Sequence, residues 1–221
     1  MRRLLPLFVL LPLLPGCQLL PGAHRDGPAP AGTRWQGELT LGGQGWVFQP
    51  CGESRRFQLA EGIGLLDEAR GLLANSGASA LYLDLRARAD ASQDAGFAGR
   101  LVPLERHRLE AEGPGCRDAR LAQIAWRASG HHPDWTLEIA RAGLLLQTPG
   151  EAPRAQPYLV EQLPDGQVSY SSEANGRRLE LWIAPQRCED GASGTLSAYS
   201  ATLVQDGQRW RGCAYPGGLK P

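Results

Sequence analysis

The chain has 221 residues, with 23 basic and 23 acidic side chains and a formal net charge of zero. That balance offers no basic field to draw nucleic acid and no polybasic patch to hold anionic lipid. Lys220 is the only lysine, so the positive charge is almost wholly arginine, a bias of composition rather than the mark of a binding surface.

The N-terminus has the order of an export signal over residues 1–16. Arg2 and Arg3 form a positive start, and Leu4 to Leu14 form a short apolar run interrupted by Pro6 and Pro12. A membrane-spanning helix needs about 20 apolar residues, so this run fits a cleaved leader better than a span. Losing the leader with its two arginines leaves 21 basic residues against 23 acidic ones. The run ends in "LPGC", Leu14 to Cys17, which resembles the lipobox of bacterial lipoproteins. In that family the cysteine is acylated and becomes the mature N-terminus. The resemblance implies lipidation at Cys17, attachment to a membrane through that lipid, and, with Gln18 rather than Asp next, the outer membrane as location. Each buried CH2 contributes about 0.8 kcal/mol, so two or three acyl chains anchor a protein essentially permanently. Residues 17–33 are rich in Pro, Gly and Ala without periodicity, which predicts a tether of roughly 45 Å when extended.

Past the tether, "RWQGELTL" (34–41), "GWVFQP" (45–50) and "RFQLA" (56–60) alternate at period two and predict strands. "GLLDEARGLLAN" (64–75) changes period, with Leu65, Leu66, Ala69, Leu72 and Leu73 on one helical face. "ALYLDLRARAD" (80–90) and "FAGRLVPLERHRLE" (97–110) return to strand. Three strands, a helix and two strands is the element order of an OB-fold, a five-stranded Greek-key barrel. The aromatic residues Trp35, Trp46, Phe48, Phe57, Tyr82 and Phe97 mostly occupy period-two positions that suit a core, whereas a nucleic-acid groove needs them exposed among basic residues. Nucleic acid is therefore not an expected partner.

The segment 117–130 reads as a linker with one or two helical turns, since Leu121, Ile124, Ala125 and Ala128 share a helical face. Residues 131–221 read as strand upon strand, turning at "PDG", "NG" and "DG". About eight short antiparallel strands there predict a second small barrel or sandwich. The whole is thus expected to be mainly β, an OB-like domain over 34–116 followed by an antiparallel domain over 131–221.

With Cys17 set aside, Cys51, Cys116, Cys188 and Cys213 remain, spaced neither as a CxxC redox motif nor as a zinc finger. In an oxidising compartment they make two disulfides, with three connectivities open. The local one, Cys51–Cys116 and Cys188–Cys213, would place a bridge in each half, worth on the order of 4 and 3.5 kcal/mol by loop entropy.

Two resemblances bear on these halves. "VFQPCGESRRFQL", "LYLDLRARAD", "LVPLERHRL" and "GPGC" resemble the C-terminal OB-like domain of the NlpE family, outer-membrane lipoproteins linked to copper homeostasis and envelope stress. The resemblance covers residues 34–116 and implies a Cys51–Cys116 bridge and a signalling or protein-binding role. The family's N-terminal CxxC domain has no counterpart here, so copper binding is not carried over. "ASGHHPDWTLEI" and "RCEDGASGTLSAYSATLVQDGQRWRGCA" resemble a family of uncharacterised bacterial lipoproteins and membrane-associated proteins, over residues 127–214 and including the pair Cys188 and Cys213. His131–His132 and Ala192 depart from that family's pattern.

"HHPD" is the most suggestive polar cluster. Imidazole suits zinc, copper or nickel, so His131, His132 and Asp134 are the candidate metal ligands, against the plainer reading of a polar turn before a strand. No G-x-S-x-G or HExxH occurs, and "CEDGASG" (188–194) lacks the helix of a phosphate loop. The expectation is a non-catalytic protein without cofactor that binds another protein. The alternative is a protective lipoprotein like the inhibitors of host lysozymes, with the 188–197 loop as a wedge.

Overall fold

The computed structural model describes residues 32–174 and 176–219. The leader, Cys17 and the tether up to residue 31 lie outside the described residues. Strand β1 (Thr33–Gly42) begins one residue inside the expected tether.

β1, β2 (Gly45–Pro50), β3 (Phe57–Leu59), α1 (Leu65–Ser76), β4 (Leu81–Asp90) and β5 (Gly99–Glu110) follow in chain order. β1 pairs with β2 and β4, β2 with β3, and β4 with β5, all antiparallel. β3 pairs with β5 in parallel, so the five strands close on themselves. This is the OB-like barrel that the element order predicts. Alternation along the strands sends Leu39, Trp46, Phe48, Phe57, Leu83, Leu85, Leu101 and Leu109 to one core. Close approach of β1 and β2 is possible because residue 37 is glycine; a Cβ there would sit 2.2 Å from the Gln49 carbonyl oxygen. Helix α1 adds Leu65, Leu66, Ala69 and Leu72 to the core. At its end the left-handed Gly77 donates its N–H to the Leu73 carbonyl at 3.1 Å.

The second half is one antiparallel sheet. Its strands are β6 (Ile124–His131), β7 (Asp134–Ala140), β8 (Gly143–Gln147), β9 (Arg154–Gln156), β10 (Leu159–Gln162), β11 (Val168–Ala174), β12 (Arg177–Ala184), β15 (Tyr199–Gln205) and β16 (Gln208–Pro216). The last strand, β16, pairs with the first, β6, so the sheet curls around a single core. β9 and β10 form its two edges, yet only Pro157 and Tyr158 separate them in the chain. Counting antiparallel pairs round from either side gives both strands the same direction. One bent run therefore pairs with β8 through its first part and with β11 through its second.

The linker expectation needs correction. Residues 117–130 are not a helical linker: two short 3-10 turns, Gly115–Arg117 and Leu121–Gln123, lead straight into β6 at Ile124. The period that suggested helix is real, since Ile124, Ala125 and Ala128 are buried. What decides the conformation is pairing on both sides, with β7 and β16, which a solitary amphipathic turn cannot match.

Between β12 and β15 the chain makes an excursion. β13 (Cys188–Glu189) and β14 (Leu196–Ser197) pair with each other, and β14 also pairs with β5 of the first barrel. Leu196 is 5% exposed and belongs to the first core. Disulfides join Cys51 to Cys116 and Cys188 to Cys213, with Cα–Cα separations of 5.3 and 5.5 Å. The described residues thus form one compact unit with two cores.

Polar contacts fix the join. The Arg108 guanidinium lies between the rings of Tyr82 and Tyr215, 4.6 and 4.0 Å from their centroids. Arg34 donates to Asp84 at 2.8 Å and to the Pro216 carbonyl at 2.8 Å. The Ala198 N–H donates to the His107 carbonyl at 3.0 Å. Burial and the Asp84 charge push the Tyr82 phenol up to about 12, so it stays neutral against the cation.

Candidate functional site

The excursion that crosses to the first barrel leaves a cleft behind it. Its floor is formed by β15 and β16 with the end of β6, and its wall by residues 186–192. The cleft has a volume of about 890 Å³. The Cys188–Cys213 bridge lies at its base and holds the wall to β16.

The wall is shaped by Asp190. Its Oδ1 accepts hydrogen bonds from the Ala192 N–H (3.1 Å), the Ser193 N–H (2.8 Å) and the Ser193 hydroxyl (2.9 Å). The backbone closes the same turn, with the Gly194 N–H donating to the Asp190 carbonyl at 2.8 Å. An aspartate followed by small residues favours this local capping over continued strand.

The other Asp190 oxygen, Oδ2, faces His131 Nε2 at 2.9 Å. His131 Nδ1 in turn faces Asp134 Oδ1 at 3.0 Å. Both bonds together need an N–H on each ring nitrogen, which only the imidazolium has. The hydrogen bond to Asp134 and the charge of Asp190 accordingly raise the His131 pKa above its ordinary value. Burial works to raise the Asp190 pKa, but the Ser193 hydrogen bonds and the His131 charge outweigh it and leave the carboxyl below the usual range. His131 thereby latches the β6–β7 turn to the excursion.

This geometry bears on the metal candidates. The structure brings His131 and Asp134 together but spends both imidazole nitrogens on carboxylates. His132 lines the cleft beside them. Among the described residues, no group of three or more His, Cys, Asp or Glu side chains is placed to hold a metal ion. The partner that the sequence missed is Asp190, 59 residues from His131, for which no local pattern exists.

The 188–197 loop is not a free wedge: its far end, Leu196 and Ser197, is buried against β5. On the first barrel, Trp46, Phe48 and Phe57 point inward, and the outer face of β1 and β2 offers Glu38, Thr40, Val47 and Gln49 beside Arg56. Near the first disulfide, burial pushes the Glu110 carboxyl up despite Arg108, whose Nη1 lies 3.3 Å away.

The chain shows no significant match to a family model, to a curated protein or to a solved structure. Among the described residues no helix is long and apolar enough to cross a membrane.

Proposed function

We propose that this protein is a bacterial envelope lipoprotein, anchored through acyl chains on Cys17 and acting by binding another protein rather than by catalysis. The observation that carries the reading is the cysteine arithmetic. Four of the five cysteines are paired in two disulfides, and the fifth stands directly behind an apolar leader. Disulfides belong to oxidising compartments, and a lipid thioether accounts for the odd cysteine without leaving a free exported thiol. Gln18 directs such a lipoprotein to the outer membrane, facing the periplasm. The NlpE resemblance of residues 34–116 gives the role its colour, stress or surface sensing, and the closed OB-like barrel is compatible with it. Fold likeness alone does not assign function, so the partner decides the reading.

Two experiments test it. Growth with an alkyne analogue of palmitate should label the wild-type protein and leave a Cys17→Ser variant unlabelled; an unlabelled wild type would end the lipoprotein reading. In-cell crosslinking followed by mass spectrometry should then capture an inner-membrane sensor in a Cys17-dependent way. Capture of outer-membrane or peptidoglycan-associated proteins alone would replace sensing with a structural or protective role.

A further inference from the structure

We infer that the cleft behind the excursion is a binding site for a small organic anion, whose carboxylate or phosphate group is held by Arg209 and Arg211. Most charges in the cleft are already compensated. Arg187 is paired with Glu68 at 2.9 Å and with Glu189 at 3.5 Å. His131 is spent on Asp134 and Asp190, and Asp190 is spent on His131 and the Ser193 turn. Arg209 and Arg211 also line the cleft, and neither has a carboxylate within 4.0 Å among the described residues.

Their placement is set by the strand. Trp210, between them, packs against the second core, so alternation turns both flanking side chains to the outer face. Two guanidinium groups two residues apart on one strand sit side by side, and each presents a planar fork that matches an oxyanion. Thr202 lies directly opposite Arg211 on β15 and adds a hydroxyl to the same floor. A volume of about 890 Å³ suits a ligand of many atoms, not a bare ion. The wall is held at two points, by the disulfide at Cys188 and by the His131 contact at Asp190, so the site is formed before the ligand arrives. The inference does not depend on the lipoprotein reading, since the cleft needs neither the anchor nor a partner protein.

Titration calorimetry on the full chain in detergent tests it, with citrate and inorganic pyrophosphate as the anionic probes and sucrose as the neutral one. At least one anion should bind saturably, with a Kd below about 1 mM, and sucrose should not bind. Tighter binding of citrate marks a carboxylate site, and tighter binding of pyrophosphate a phosphate site. The Arg209→Gln/Arg211→Gln double variant should bind about tenfold more weakly or worse. Arg141→Gln, at the β7–β8 turn, should bind as the wild type does. Both cleft arginines are exposed, so the double variant should keep the wild-type urea midpoint. On the wild type alone, affinity should fall as sodium chloride rises. Absence of saturable binding by either anion, or equal binding by the double variant, would overturn the inference.

Discussion

Leu196 belongs by sequence to the second half and by packing to the first, and that division makes a sharp test. Its side chain sits in the barrel core with Leu109, its direct partner on β5, while its chain neighbours return to the second sheet. Truncation to alanine removes three buried carbons from a site that is 5% exposed. Buried Leu→Ala changes cost about 2 to 5 kcal/mol, and a residue held by a two-residue strand lies near the lower end because its backbone can relax. For a protein of this size, about 3 kcal/mol corresponds to a fall in Tm of roughly 6 to 12 °C. Urea and thermal unfolding of Leu196→Ala measure the loss, with Leu159→Ala, 78% exposed on β10, as the control expected to change little. Amide hydrogen exchange locates it: protection should fall along Arg108–Glu110 of β5 and in α1, elements more than 80 positions earlier in the chain. An unchanged midpoint, or lost protection confined to residues 185–200, would refute the view that the excursion completes the first barrel.

Replacing Cys188 and Cys213 together with alanine reopens a loop of sequence separation 25 and should cost about 3.5 kcal/mol by loop entropy, read as a lower urea midpoint. His131 has a folded pKa raised above 6.5, so its latch contributes stability that is complete below the unfolded pKa and is lost as pH rises through the folded one. The contact is solvent-screened and worth about 0.5 kcal/mol, so His131→Gln should be less stable than wild type at pH 5.5 and indistinguishable at pH 9; a constant difference across that range would count against the latch. Arg108→Met should destabilise by about 3 kcal/mol because it strands Glu110 beneath the Tyr82–Tyr215 join, and adding Glu110→Gln should recover part of the loss in equilibrium unfolding.

The first barrel was legible because its signals are local. The period changes from two to 3.6 at Leu65 and back at Leu81, and those switches define an OB order without any knowledge of pairing. In the second half turns such as "DG" at 206–207 were readable, where Asp206 has the positive φ of 49° that the turn requires, but β6 and the short β9 were not. The segment after Cys116 misled because Ile124, Ala125 and Ala128 satisfy a helical face and a strand in a curled sheet alike. What no local pattern could reveal was the excursion. Leu196 and Ser197 make a two-residue strand whose partner is 87 positions earlier, and His131 meets Asp190 across 59 positions. The pairing of β6 with β16, to which the Cys188–Cys213 bridge holds the excursion, brings His131 to Asp190.

That join also limits how far a resemblance confined to one half can speak for the protein. Residues 34–116 end where the first disulfide closes, yet Arg34, Arg108 and Leu109 inside that stretch have partners among residues 196–217. Arg34 satisfies Asp84 and two C-terminal carbonyls at once, and the Gly217 N–H returns to the Ala125 carbonyl at 2.7 Å. Excising residues 34–116 would leave a nearly buried cation without one of its two aromatic rings and a core without Leu196. Each defect costs on the order of kcal/mol against a total stability of about 5 to 15 kcal/mol. The first barrel and the cleft behind residues 186–192 are accordingly parts of one compact unit. The two ends of the excursion, the disulfide at Cys188 and the buried side chain at Leu196, are the mechanical link between them.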